Sequence, residues 1–172
     1  MRYFLGTEFH ERPYTIELIS VGIYREDGKS FYAESLDYRD EEASDWLKAN
    51  VIPHLWKNKI GNAAEWRRHP EITGGLFRRE TIGRLVTEWI GDDTPEFWGY
   101  YADYDWVAFC WLFGAMVDLP KGWPMYCRDI KQLADSMGNP ELPKQVSAEH
   151  HALADARWNL TALSSLEAMS VS

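Results

Sequence analysis

The sequence predicts a single α/β domain with a mixed central sheet flanked by helices, and three observations carry that expectation. Its 172 residues match one domain at roughly 100–200 residues per domain. The first part of the chain alternates in the manner of β-strands, and the remainder interleaves short apolar runs with stretches of helical spacing. The composition, 45% hydrophobic, 15% aromatic and 26% charged, is that of a chain that folds around a core.

Residues 2–5 read as a short strand, 16–25 as a longer one, and 30–34 as a third after the turn at Asp27-Gly28. That is an opening β-meander. Residues 40–50 then have helical spacing, with Ala43, Trp46 and Leu47 on one face and acids in the first turn, and Pro53 ends the segment. Residues 56–75 mix Gly, Pro, Asn and paired arginines without periodicity and read as an irregular connection. A helix over 78–90 places Ile82, Leu85, Val86, Trp89 and Ile90 on one stripe, with Gly91 as its C-cap. Residues 96–102 read as a strand, 105–113 as an apolar helix ending at Gly114, 125–127 as a short strand, 130–137 as a helix and 148–169 as a long final helix. The order β-β-β-α-α-β-α-β-α-α, without repeats or low-complexity tracts, assigns residues 1–172 to one domain.

The formal charge is −9, which argues against a protein that coats nucleic acid by neutralising phosphates. An enzyme that places a metal ion between its carboxylates and a phosphate remains allowed, because the ion inverts the local electrostatics. Basic residues concentrate in 56–84: Lys57, Lys59, Arg67, Arg68, Arg78, Arg79 and Arg84 stand against Glu65, Glu71 and Glu80. This segment is either a solvated loop or a basic rim that guides a polyanion toward an acidic site. No stretch approaches the roughly 20 apolar residues of a membrane span, and the N-terminus is too acidic for a signal peptide, so a cytoplasmic location is expected. Cys110 and Cys127 lack metal-type spacing and read as structural thiols.

Glu8 falls just beyond the first expected strand, Asp105 at the start of an apolar helix, and Asp155 inside the last helix with His150 five residues before it. Carboxylates at the ends of adjacent strands can converge on Mg²⁺ or Mn²⁺, which prefer oxygen ligands and keep water and substrate phosphates. Two such ions about 4 Å apart stabilise the attacking and leaving oxygens of an in-line phosphoryl displacement. A histidine beside them is suited to take a proton from the attacking water. Each acid alone is weak evidence, since a lone carboxylate at an element end is usually a solvated group or a cap.

The segments YFLGTEF (3–9), YDWVAFCWLFG (104–114) and HHALADAR (150–157) resemble the three motifs of the DEDDh exonuclease superfamily. TEF followed by IELISVGI is most similar to its mycobacterial-type 3′-5′ exoribonuclease subfamily. The resemblance runs over nearly the whole chain and implies an RNase H-like fold. It also implies metal-dependent 3′-5′ hydrolysis of single-stranded RNA to nucleoside 5′-monophosphates with two ions, Mg²⁺ or Mn²⁺. Glu8, Asp105 and Asp155 match the family's metal ligands, Glu8 counting also as catalytic, and His150 matches its general base. Thr7 and Phe9 are implied to lie against the terminal nucleotide, Phe9 as a stacking or pocket residue. Related nucleases often form homodimers, which the surplus of Trp and Phe allows, although a monomer fits the sequence equally well.

The family's first aspartate should stand at position 6, where this chain has Gly6. Three explanations fit: a variant inactivated to trap substrate, a natural pseudoenzyme, or an enzyme working with one metal or another acid, Asp103 and Glu17 being nearest in sequence. Retention of the other motif residues favours the first. The alternative to an exonuclease is therefore a catalytically inactive module of the same fold that binds nucleic acid or nucleotide. A third reading is an ordinary α/β protein whose acids bind no metal. Of the aromatics around the second motif, Trp98, Tyr100, Tyr101, Tyr104, Trp106, Phe109, Trp111 and Phe113, most are expected in the core and one or two free to stack on bases.

Overall fold

The computed structural model describes residues 1–59, 73–146 and 150–170. Among these residues, one sheet is built from β1 (Arg2–Arg12), β2 (Thr15–Arg25), β3 (Ser30–Ser35), β4 (Thr73–Phe77), β5 (Glu96–Gly99) and β6 (Arg128–Asp129), in the order β4-β3-β2-β1-β5-β6. The helices are α1 (Asp45–Asn50), α2 (Trp56–Lys59), α3 (Arg79–Ile90), α4 (Asp103–Cys110), α5 (Ile130–Ser136) and α6 (Ala152–Ser170). The sheet is mixed: β1–β2 and β2–β3 are antiparallel, whereas β1–β5, β3–β4 and β5–β6 are parallel. The expected meander and the α/β class are both present.

Several boundaries differ from the sequence expectation. Strand β1 does not stop at Leu5; its polar second half stays in the ladder because β2 pairs with it as far as Arg12, with a register shift between Glu8 and Phe9. Glu8 therefore lies inside the strand, not beyond it. Residues 40–50 divide into a 3-10 turn (Asp40–Glu42) and α1, which Ser44 caps by accepting a hydrogen bond from the Leu47 amide at 3.3 Å. Within the expected irregular connection, α2 and β4 are both regular, and residues 60–72 lie outside the described residues. Strand β4 escaped because TGGLF has no alternation; its glycines, at φ 152° and 156°, lie against Tyr32 and Ala33 of β3. The short strand expected at 125–127 forms instead at Arg128–Asp129, and the final helix starts at Ala152, four residues later than 148.

The period of two along β1 sorts its side chains between two cores. Tyr3 and Leu5 join Val21, Ile23, Phe31, Ile82, Val86, Phe97 and Phe109 on the face covered by α3 and α4. Phe4 joins Ile130, Ala134, Ala162, Leu163 and Leu166 on the face covered by α5 and α6. Thr7 thus points toward α4, while Gly6 and Glu8 face α6. Gly6 lies directly opposite Gly22 in the ladder, so two missing side chains open a notch on the α6 face. The first turn of α6 sits in it. A Cβ on Gly22 would come within 2.3 Å of the Leu153 amide nitrogen and 2.4 Å of the Ala152 carbonyl carbon, and one on Gly6 within 2.5 Å of the Ala152 carbonyl oxygen. These are backbone atoms that cannot rotate away.

Adding a methyl group to this seat forces overpacking, which typically costs about 1–3 kcal/mol. Gly22→Ala is expected to lower the melting temperature by roughly 2–12 °C, a span that follows from that cost for a chain of this size. Calorimetric melting checks this, and an unchanged melting temperature would show that the helix does not rest on the glycine pair.

Candidate active site

Strand β5 pairs with β1 only from Arg2 to Phe4 and ends at Gly99, so past the carboxyl end of β5 one edge of β1, which continues to Arg12, is open. Sites in open α/β sheets form where parallel strands end in this way. The Leu5 carbonyl, past the end of the β5 pairing, accepts a hydrogen bond from the buried Asn159 side chain at 2.8 Å. The opening between β1, α4 and α6 is a cleft of about 310 Å³ lined by Gly6, Thr7, Glu8, Asp105, His150 and Asp155 together with Leu5, Tyr100, Gln145, Trp158 and Asn159. That is the lower end of the usual small-ligand range, roughly 300–1,000 Å³.

Each acid arrives by a different element. Glu8 projects from β1 toward α6 and is only 8% exposed. Asp105 stands in the first turn of α4, where it accepts hydrogen bonds from the Thr7 amide at 2.7 Å and the Thr7 hydroxyl at 2.8 Å. The start of α4 is itself fixed by Asp129, whose carboxylate accepts from the Ala102 amide at 2.7 Å while capping α5 through the Lys131 and Gln132 amides. Asp155 lies one turn into α6 and accepts from the Gln145 side-chain amide at 2.7 Å.

Crowding of the carboxylates perturbs their protonation. Burial, the charge of Asp155, a hydrogen bond to Asp155 and the charge of Asp105 together push the Glu8 carboxyl up to about 9. Burial also pushes Asp105 up to about 6 against the opposing pull of the two Thr7 bonds. Glu8 is therefore a proton-holding carboxylic acid near neutral pH in the metal-free cleft.

The histidines at the start of α6 have separate fates. His150 has a left-handed backbone, φ 63°, borders the cleft, and packs edge-on against Trp46 with ring centroids 4.9 Å apart. Trp46, expected on a buried face, is 54% exposed and serves as the wall for His150. His151 stacks on the fully buried Tyr32 at 4.7 Å, and burial pushes its pKa down to about 4. Of the two implied nucleotide contacts, Thr7 lines the cleft, with its hydroxyl committed to Asp105, whereas Phe9 lies beyond the bulge, outside the lining, against Tyr104 at 6.0 Å.

Sequence reasoning missed Gln145, Trp158 and Asn159 as parts of the cleft. Asn159 had one available signal, since it follows Asp155 by four residues on the same helix face. Gln145 had none; its segment is tied to α6 by its own amide and by the Trp158 ring nitrogen, which donates to the Pro143 carbonyl at 2.9 Å. Tyr100 was singled out only as one aromatic among eight; it lines the cleft, while Trp106 and Phe109 are core and Tyr101, Tyr104 and Trp111 are exposed. The basic rim is largely neutralised where described: Lys57 pairs with Asp40, Arg78 and Arg79 with Asp37, and Arg84 with Glu88. Arg67 and Arg68 lie outside the described residues. Cys110 and Cys127 are free thiols.

For a metal ion, the donor set is right in kind, since three carboxylates offer the hard oxygens that Mg²⁺ and Mn²⁺ select. Among the described residues no three Asp, Glu, His or Cys side chains are grouped closely enough to close on an ion as they stand. Loading would require Glu8 to release its proton and the carboxylates to draw in. The raised Glu8 pKa has a sign that can be tested without metal. A carboxyl whose folded pKa is raised contributes stability below its unfolded value, near 4.5, and loses it as pH rises through about 9. In chelator, the melting temperature of the chain is expected to fall from pH 5 to pH 9 more steeply than that of Glu8→Gln; parallel curves would contradict the shared burial of Glu8 and Asp155.

Comparison with known proteins matches residues 1–166 to the family model described as the 3′-5′ exoribonuclease Rv2179c-like domain. Two curated relatives, 3′-5′ exoribonuclease MT2234.1 from Mycobacterium tuberculosis (strain CDC 1551 / Oshkosh) and 3′-5′ exoribonuclease Rv2179c from M. tuberculosis (strain ATCC 25618 / H37Rv), are each 37% identical over 164 residues. Each match covers 93% of this chain and 89% of the relative. Among the described residues no helix is long and apolar enough to cross a membrane. A match over nearly the whole length, with acids from three distant segments meeting beside the open edge of β1, means that the chain belongs to the Rv2179c-like 3′-5′ exoribonuclease family.

Proposed function

We propose that the chain is a metal-dependent hydrolase of RNase H-like fold that shortens single-stranded RNA from its 3′ end, with turnover slowed by the absence of a carboxylate at position 6. The observation that supports this best is the meeting of Glu8, Asp105, Asp155 and His150 around one nucleotide-scale cleft. Glu8, Asp105 and Asp155 hold Mg²⁺ or Mn²⁺ in this reading. A divalent ion bound there supplies Lewis-acid polarisation of the scissile phosphate and neutralises the carboxylates' repulsion of it.

The chain's own residues do the rest. Thr7 fixes Asp105, and Gln145 fixes Asp155, so two of the three carboxylates are oriented before substrate arrives. His150 accepts a proton from a water that attacks the terminal phosphorus; the bond from phosphorus to the 3′ oxygen of the preceding nucleotide breaks, and that oxygen takes up a proton. The products are a nucleoside 5′-monophosphate and a chain one nucleotide shorter. Tyr100 offers an aromatic wall for the terminal base, and its contact with Trp158, 5.0 Å between centroids, holds the ring in place. Self-association as a homodimer and a cytoplasmic setting belong to the same reading.

Gly6 favours one other reading, a module that keeps the cleft and binds nucleotide without turnover. A 5′-labelled single-stranded RNA incubated with the chain and Mn²⁺ distinguishes them: a slow ladder of shortened products is expected, and nucleotide binding without any ladder would establish the binding module. His150→Ala is expected to reduce the rate by roughly 10²–10⁴-fold, the usual contribution of a positioned acid or base, with nucleoside monophosphate affinity nearly intact. An equal loss of rate and affinity would remove His150 from that role.

A further inference from the structure

We infer that the cleft takes a single divalent cation and not a pair, because the backbone of α6 fills the space beside Gly6 where a further ligand would have to stand. The inference rests on the metal reading of the cleft proposed above. Along β1 only alternate residues face α6, and next to Asp155 those are Gly6 and Glu8. Glu8 presents its carboxylate. At position 6 a Cβ would lie 2.5 Å from the Ala152 carbonyl oxygen and 3.2 Å from both the Ala156 amide nitrogen and the Asp155 Cβ. The space is closed by helix backbone and by the very residue that carries one of the ligands. It cannot open without moving Asp155.

Among the described residues, other acids do not make up the deficit. Glu17 is bound to Arg12, Asp103 is exposed, and Asp129 is committed to the Ala102, Lys131 and Gln132 amides. Glu34 is committed to the Tyr32 hydroxyl and the Trp56 and Lys57 amides. Two dications about 4 Å apart bring four positive charges and are held by carboxylates placed between and around them. Glu8, Asp105 and Asp155 supply three negative charges, which suffice for one ion and the phosphate it meets. Gly6 is thus a packing residue paired with Gly22, and the two-ion arrangement and the observed seat of α6 exclude each other.

Mn²⁺ alone, titrated into the full chain and followed by paramagnetic resonance of the free ion, is expected to saturate at one ion per chain. Two ions per chain would overturn the inference and leave the metal reading standing; none would remove the metal reading and the inference with it. Gly6→Asp is expected to melt at a lower temperature and to gain no second ion, and a second ion there would overturn the packing argument. Gly6→Ala, which adds the Cβ without a carboxylate, separates packing from ligation. It is expected to melt lower as well, and an unchanged melting temperature would show that the α6 seat yields freely.

Discussion

The seat of α6 on the glycine pair of β1 and β2 is the contact on which the rest of the molecule depends. Helix backbone approaches sheet backbone to within the space a single methyl group would occupy, at Gly6 and at its cross-strand partner Gly22. This closeness holds the helix rigidly because close-packed interiors transmit displacements. One turn further along α6 stands Asp155, and just before its start stands His150. The helix thus carries both groups to the open edge of β1. On the other face, α4 is fixed at its start by Asp129 and brings Asp105 to Thr7. The strand between them supplies Glu8.

Placing three carboxylates in a half-buried cleft is electrostatically unfavourable, and the chain relieves it in two ways. Asp105 is stabilised by hydrogen bonds from Thr7, and Asp155 receives one from Gln145. Among the described residues no amide or hydroxyl donates to Glu8, whose hydrogen bond is to Asp155, and it retains its proton, shifted to about 9 by burial and by its neighbours. A bound cation reverses that balance, because the charge that raises the pKa in its absence attracts it when it is present. The same cluster therefore costs stability in the metal-free chain and gains affinity for a hard cation, the trade expected of a site built for binding.

The motif around His150 and Asp155 was legible through the resemblance of HHALADAR (150–157) to the family's third motif, since a lone histidine or carboxylate at a helix head is more often solvated or a cap. Asp105 was legible through the resemblance of YDWVAFCWLFG (104–114) to the second motif. Glu8 was recognisable by its neighbours, but its position within a strand was not, since Thr7, Glu8 and His10 interrupt the alternation and only pairing with β2 keeps them extended. Strand β4 was illegible for a related reason: a glycine-rich parallel edge strand has its register in its partner. Gln145 meets Asp155 from ten positions away and leaves no local trace, whereas Asn159, whose bond to the Leu5 carbonyl spans 154 positions, had only its spacing of four from Asp155. Gly6 reads differently at the two levels. The sequence shows a carboxylate that the family pattern expects and this chain lacks, whereas the structure shows a glycine matched to another glycine beneath a helix.

A crystal structure of the full chain grown with Mn²⁺ and a nucleoside 5′-monophosphate tests the central claim most directly, because it views the helix seat and the ligand together. The nucleotide phosphate is expected in the cleft among Glu8, Asp105, Asp155 and His150, with the Ala152 carbonyl still resting on Gly6. A nucleotide bound elsewhere on the chain, or an α6 start lifted from the Gly6–Gly22 pair to admit it, would contradict the account.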